Sequence, residues 1–140
     1  DLFAGTGALG LEALSRGAAE ACFVESNPLL ASSLGERISA FSARATIFPS
    51  DVMRILERPK SGLFDLVFVD PPYELALAPI LKKLVPRLSP GAFVYMERPE
   101  TPSSSDEFQH LTSDLAGCDL VKHSRAGKVR FGLWQFKNDA

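Results

Sequence analysis

An α/β sandwich with a mostly parallel, doubly wound sheet is the fold this sequence predicts, closed at one edge by a C-terminal antiparallel hairpin. Three observations predict it. Short, nearly continuous apolar runs alternate with longer helical patterns, a glycine-rich turn opens the chain, and the tail reads as two strands about a tight turn. Strands covered on both faces lose the in-and-out alternation of a half-solvated sheet, so such runs suit parallel strands under helices.

The chain opens on DLFAGTGALG, the end of a strand and the loop after it. Little strand precedes Asp1, so the first strand is expected to be truncated and the chain to be a fragment of a longer protein. Helices are predicted over Ala8–Ser15, Leu29–Phe41, Val52–Glu57 and Leu75–Leu88. Strands are predicted over Ala21–Val24, Ala45–Phe48, Leu66–Val69 and Ala92–Met96. Strand and helix in alternation is the pattern of an α/β sheet. Pro99–Asp106, PETPSSSD, is polar and proline-bearing and reads as a surface loop. Beyond it, Leu120–Ser124 and Lys128–Phe136 flank a turn at Ala126–Gly127, which makes a hairpin. Trp134 and Phe136 fall on one face there by period-two alternation, a pattern of core packing. The 140 residues fit one domain, 1–140, able to bury a core.

Apolar residues make up 46% and charged residues 23%, ordinary for a globular chain. The formal charge of −2 excludes a global positive field, so a nucleic-acid partner must be met by a local patch. Lys122, Arg125, Lys128 and Arg130, around the hairpin, are the candidates. No apolar run approaches the roughly 20 residues of a membrane span. Cys22 and Cys118 sit in no metal or redox spacing, which suits buried thiols in a reducing cytoplasm. His110 and His123 suggest no metal site.

Gly5, Gly7 and Gly10 satisfy G-x-G-x-x-G, and Glu25 follows Gly5 by twenty positions at the end of the next strand. That spacing fits a nucleoside cofactor: glycines let the backbone approach it, and the acid takes ribose hydroxyls. Charge narrows the choice. Asp1, Glu25, Asp51 and Asp70 each fall just past the C-terminal end of a strand, the edge where ligands bind in open α/β sheets. A pyrophosphate would meet Asp1 with no Lys or Arg in Asp1–Ser15 to offset it. S-adenosylmethionine carries a sulfonium and an ammonium against one carboxylate, and an acidic rim suits this net cation. Asp51 also stands where it would cap the helix over Val52–Glu57.

The run Leu66–Val69 then ends on Asp70, Pro71, Pro72 and Tyr73. In order, DLFAGTGALGLEALSRGA, VESN, SDV and FDLVFVDPPY resemble the RsmD family of ribosomal RNA methyltransferases. These bacterial enzymes methylate the exocyclic N2 of a guanine in small-subunit (16S) ribosomal RNA. The resemblance runs from Asp1 to the C-terminal hairpin and implies a Rossmann-like class I methyltransferase sandwich. It implies that Asp1, Gly5 and Gly7, with Phe3 nearby, hold the methionine end of S-adenosylmethionine. Glu25, beside Ser26, would take the ribose, and Asp51 with the Val52 backbone would take the adenine. Asp70, Pro71, Pro72 and Tyr73 would form the catalytic motif. Ribosomal RNA, free or in an assembled or assembling small subunit, would be the partner.

The motif has its own chemical logic. The exocyclic amine of a base is a poor nucleophile because its lone pair is delocalised into the ring. A carboxylate at Asp70 and a carbonyl at Pro71 could accept the amine protons and localise that pair. The prolines donate nothing and stiffen the turn. Tyr73 could stack on a base drawn out of its helix. This logic holds for any base amine, so methylation of adenine N6 or cytosine N4 stays open on the motif alone. A non-catalytic cofactor-binding module that positions RNA is a further alternative. An NAD-dependent oxidoreductase fails on the acidic rim.

Overall fold

Residues 1–39 and 44–137 are described by the computed structural model of this protein. Two compact units divide the chain, Asp1–Glu57 and Arg58–Ala140. No helix among the described residues is long and apolar enough to cross a membrane.

In the first unit, α1 (Ala8–Ser15) packs on β1 (Glu20–Val24), and α2 (Pro28–Ile38) packs on β2 (Arg44–Phe48). The two strands are parallel, with Phe23 beside Ile47. The stretch before α1 runs along the free side of β1: the Val24 N–H donates to the Asp1 carbonyl and the Ala4 N–H to the Val24 carbonyl, each at 2.9 Å. Ala4, Leu14, Phe23, Leu34 and Ile38 form the buried core between these elements. Asn27 starts α2, its side chain accepting the Leu29 and Leu30 N–H groups, and Pro28 takes the first turn, where no N–H is needed. The sequence places the end of this helix at Phe41, whereas α2 stops at Ile38; Ala40 and Phe41 lie outside the described residues. The unit ends on α3 (Val52–Glu57), at its predicted bounds.

The second unit holds a four-stranded sheet in the order β3-β4-β6-β5. Here β3 is Phe64–Val69, β4 Leu88–Pro99, β5 Cys118–Ala126 and β6 Val129–Phe136. The β3–β4 pair is parallel, and β4–β6 and β6–β5 are antiparallel. The hairpin therefore forms as predicted, and a register shift between Leu120 and Lys122 leaves Val121 as the extra, exposed residue.

Two predicted elements differ. The helix expected over Leu75–Leu88 is confined to α4 (Ala78–Leu84), followed by a 3₁₀ turn at Val85–Arg87, and Leu88 begins β4. Prolines set both limits: Pro79 fits only a first turn, and Pro86 cannot donate to an α-helical ladder. The polar stretch read as a loop, Pro99–Asp106, instead leads into α5 (Ser104–Asp114). Ser104 is buried and accepts the Thr101 N–H at 2.7 Å, while Asp106 and Glu107 place negative charge on the first turn. Phe108, Leu111 and Leu115 are buried along one side of the helix and its exit. Trp134 is fully buried, as its alternation predicts, with Phe108 against its ring at 5.3 Å; Phe136 is half-buried.

Candidate active site

In the first unit the glycine loop, Asp1 and Glu25 form one hydrogen-bonded cradle. The Gly5 N–H donates to Glu25 Oε1 at 2.8 Å and the Asn27 N–H to Oε2 at 2.7 Å. Each oxygen keeps further lone-pair capacity, which two ribose hydroxyls would use. Asp1 Oδ2 accepts the Gly10 N–H at 3.3 Å, whereas its Oδ1 is buried with no partner among the described residues. A buried, unsatisfied carboxylate oxygen suits an ammonium donor, so the residues present fit the methionine end of S-adenosylmethionine.

The three glycines do different work, and at Gly7, with φ +81°, a Cβ would stand 2.3 Å from the Leu34 side chain, so this position packs on α2. At Gly5, with φ +54°, a Cβ would meet nothing within 4 Å, so the space above the backbone is open to a ligand. At Gly10 a Cβ would stand 2.3 Å from the buried Phe23 ring, so this glycine serves close packing of α1 on β1. Phe3 is half-buried and Ser26 exposed beside this cradle in sequence. Asp51 Oδ1 accepts the Met53 N–H at 2.8 Å and so caps α3. Its second oxygen is uncommitted by that bond. The Val52 side chain is buried, which leaves its backbone as the part that could face an adenine.

The fourth acid, Asp70, belongs to the second unit, where β3 delivers it immediately after the buried Val69. The register that sets Val69 beside Met96 brings Asp70 abreast of Glu97 on β4. Phe68 and Tyr95, two positions earlier on the same face, meet edge to face at 6.0 Å. The Tyr95 hydroxyl donates to Glu97 Oε1 at 2.8 Å. Asp70 has an exposed side chain, yet it is partly desolvated by the chain around it. That desolvation and, less strongly, the charge of Glu97 hold its carboxyl above the usual carboxylate range, against the pull of Arg98. Burial likewise pushes the Tyr95 hydroxyl well up, reinforced by its bond to Glu97.

Pro71 is buried and Pro72 exposed. The Pro72 carbonyl accepts the Leu75 N–H at 3.1 Å, so Pro71 is the carbonyl an amine would need. Tyr73 is 63% exposed, as a stacking platform must be. Its own carbonyl accepts from Arg98 Nη2 at 3.2 Å.

The four hairpin cations do not share one surface. By register Arg125 and Arg130 lie abreast on the face that carries Trp134, Lys122 lies on the other, and Lys128 sits in the turn. Arg125 and Arg130 each approach Glu100 Oε1 at 3.9 Å, and the Arg130 guanidinium stacks 5.3 Å from the Phe108 ring centre. Arg130 is thus partly committed within the fold, while Lys122, Arg125 and Lys128 are exposed.

Sequence reasoning missed three residues. Arg37, in the last turn of α2, donates to the Thr6 carbonyl and so holds the glycine loop from outside the Asp1–Ser15 window. Glu97 and Arg98 gain their positions only from the pairing of β4 with β3. No local motif marks them.

Comparison with known proteins decides the family. A family model described as Conserved hypothetical protein 95 matches residues 1–135. Ribosomal RNA small subunit methyltransferase D of Haemophilus influenzae is 35% identical over 143 residues, covering 96% of this chain and 69% of its own length. The chain belongs to the RsmD family. The Escherichia coli (strain K12) protein of the same name is 33% identical over 139 residues, and the RsmD-family chain described here spans 66% of its length. A solved structure of a candidate methyltransferase from Escherichia coli superposes with a TM-score of 0.81 at 30% identity, over 99% of this chain and 76% of the other. The fold of this RsmD-family chain is accordingly the class I methyltransferase α/β fold.

Proposed function

We propose that this chain transfers a methyl group from S-adenosylmethionine to the exocyclic N2 amine of a guanine in small-subunit ribosomal RNA, residues 1–140 acting as one methyltransferase domain. The observation that carries the reading is the end of β3. There a carboxylate, a buried proline and an exposed tyrosine follow one another on a turn anchored by Arg98. The family relationship supports both the reaction and the cofactor. A reducing cytoplasm, where ribosomal RNA is methylated, is the compartment the reading implies.

S-adenosylmethionine, when bound, supplies an electrophilic methyl group. Asp1 Oδ1, the Gly5 backbone and Gly7 would hold its methionine end, Glu25 its ribose, and Asp51 with the Val52 backbone its adenine. Tyr73 would hold the target base by stacking, worth about 1–3 kcal/mol per base. Asp70 and the Pro71 carbonyl would accept the amine protons, bending the nitrogen so that its lone pair is available for attack. Asp70 would also stabilise the positive charge that grows on nitrogen. The remaining contribution is alignment of the amine with the methyl group.

Base identity gains support from Glu97. Guanine alone among the amine-bearing bases places a second donor, N1–H, next to its exocyclic amine. Adenine and cytosine place a ring-nitrogen lone pair there, which a second carboxylate would repel. Asp70 and Glu97 abreast therefore suit guanine. Lys122, Arg125 and Lys128 are the exposed cations we assign to RNA phosphates, with Arg130 contributing less.

Two measurements test the reading. Single-turnover methylation of undermethylated small ribosomal subunits, followed by digestion to nucleosides, is expected to yield N2-methylguanine. N6-methyladenine or N4-methylcytosine in the digest would overturn the base assignment. Calorimetry is expected to show binding of S-adenosylmethionine and none of NAD. Glu25→Ala should weaken that binding at least about tenfold, since each charge-assisted hydrogen bond contributes roughly 1.5–3 kcal/mol. Tight NAD binding, or an unchanged affinity in the variant, would sink the cofactor assignment.

A further inference from the structure

Arg98 is a buried cation beside the catalytic turn that the proposed chemistry does not yet use. It is 8% exposed and is the penultimate residue of β4, before Pro99. Its Nε donates to Glu107 Oε1 at 2.7 Å, reaching across to α5. Its Nη2 donates to the Tyr73 carbonyl at 3.2 Å, and its Nη1 is buried with no partner among the described residues. A buried ion pair is weak evidence of stabilisation, because apolar residues of similar size often do as well. An orphaned guanidinium nitrogen adds a cost that a leucine or methionine here would avoid. The arrangement makes sense if the fork itself is needed. One arm grips a carboxylate on a helix, and another grips the backbone of the turn that carries Tyr73.

We propose that Arg98, anchored by Glu107, is a positioning residue that fixes the Asp70–Tyr73 turn through the Tyr73 carbonyl. The inference rests on the methyltransferase reading for its catalytic consequence, although the contact itself does not. A turn free to shift by an ångström would misplace both the acceptor and the stacking ring, a displacement that can cost about a hundredfold in rate. The same cation also acts on the acceptor. Among the described residues of this unit, the charged or titratable groups that face Asp70 are Tyr95, Glu97 and Arg98, all on β4. Desolvation and Glu97 favour the protonated acid; Arg98 opposes them and favours the carboxylate that the chemistry needs.

Arg98→Gln, Arg98→Lys and Glu107→Gln in the full chain test this, with thermal melting to confirm that each folds. The first readout is carbon-13 NMR titration of the Asp70 carboxyl in protein without cofactor or RNA; the second is single-turnover methylation with separately measured affinities. Arg98→Gln is expected to move the Asp70 titration to higher pH and to slow turnover by about 10- to 100-fold, with cofactor affinity unchanged. Arg98→Lys is expected to keep the Asp70 titration near its original pH yet remain slow, because an ammonium cannot span both partners as a planar fork does. Glu107→Gln keeps the cation but loosens its anchor, so turnover should fall without an upward move of the Asp70 titration. Full rate in Arg98→Lys would overturn the positioning role. An unmoved Asp70 titration in Arg98→Gln would overturn the electrostatic one. Should Arg98→Gln not fold, wild-type turnover in both other variants overturns the inference. Should the unaltered chain transfer no methyl group, the methyltransferase reading fails, and the NMR titration still decides whether Arg98 acts on Asp70.

Discussion

Asp70→Ala is expected to slow methyl transfer by about a hundred- to a thousandfold while leaving affinity for S-adenosylmethionine nearly unchanged. Removal of one preorganised electrostatic contact to a developing charge typically has that effect. Asp70 lies in the second unit, apart in sequence from the glycine loop, Glu25 and Asp51 that we assign to the cofactor. Asp70→Asn should be milder, since an amide oxygen still accepts a hydrogen bond after the charge is gone. Tyr73→Ala should act on RNA affinity and base placement, whereas Tyr73→Phe should be tolerated because the ring does the stacking. Single-turnover rates, compared with calorimetric affinities, check the set. Wild-type turnover in Asp70→Ala would remove the carboxylate from the mechanism.

The raised pKa of Asp70 adds a pH signature. Its carboxyl titrates above the ordinary carboxylate range because of desolvation and Glu97. The acceptor we propose is the ionised form, so the rate should decline as pH falls through that elevated midpoint. Glu97→Gln removes the like charge and should shift this limb to lower pH. Stability runs the other way. The folded state holds the Asp70 proton more tightly than the unfolded chain does. Its favourable contribution is complete below the unfolded midpoint and is lost as pH rises through the folded one. At neutral pH, therefore, Asp70→Ala should unfold no more easily than the parent. An acid held above its ordinary range by desolvation and a like charge is a candidate for function.

The glycine loop, Glu25, the α3 cap and the D-P-P-Y turn were legible because each is written in a few adjacent residues with a fixed local consequence. The strands were legible as apolar runs. α5 was not, although its signal was present: Phe108, Leu111 and Leu115 recur at helical spacing behind a serine-rich start whose polarity reads as loop. The helix that periodicity predicts over Leu75–Leu88 is shorter in the fold, because Pro79 and Pro86 impose limits that apolar spacing does not carry. Glu97, Arg98 and Arg37 were beyond local reading. Arg98 lies 25 positions from Tyr73 and Arg37 31 from Thr6, Glu97 is as remote from Asp70, and only strand register and helix packing bring them together. The same register argument splits the hairpin cations. Alternation puts Lys122 opposite Arg125 and Arg130, which no count of positive charge could reveal.

Trp134→Ala should be the most destabilising single substitution in the second unit, by about 3–5 kcal/mol. The side chain is fully buried, packs on Phe108 at 5.3 Å, and donates from Nε1 to Thr112 Oγ1 at 2.8 Å, so it ties β6 to α5. Its loss leaves a cavity under a helix that also supplies Glu107, the anchor of Arg98. Against a typical total of about 5–15 kcal/mol the effect is large, and chemical denaturation would read it as a marked drop in midpoint. Trp134→Phe should cost far less, since Thr112 Oγ1 still donates to the Phe108 carbonyl at 2.9 Å and is not orphaned. Gly132 supplies the sharper test. A Cβ there would stand 2.6 Å from the indole and 3.0 Å from the Phe108 ring, so Gly132→Ala alone should cost about 1–3 kcal/mol by overpacking. In a Trp134→Ala background the indole contact is gone, and the added methyl group, with the Phe108 ring free to give way, enters the space the indole left. The double variant should therefore be more stable than the sum of the two single changes predicts. Strict additivity in the denaturation midpoints would show that the indole does not occupy the space above Gly132, and with it the packing of α5 described here would fail.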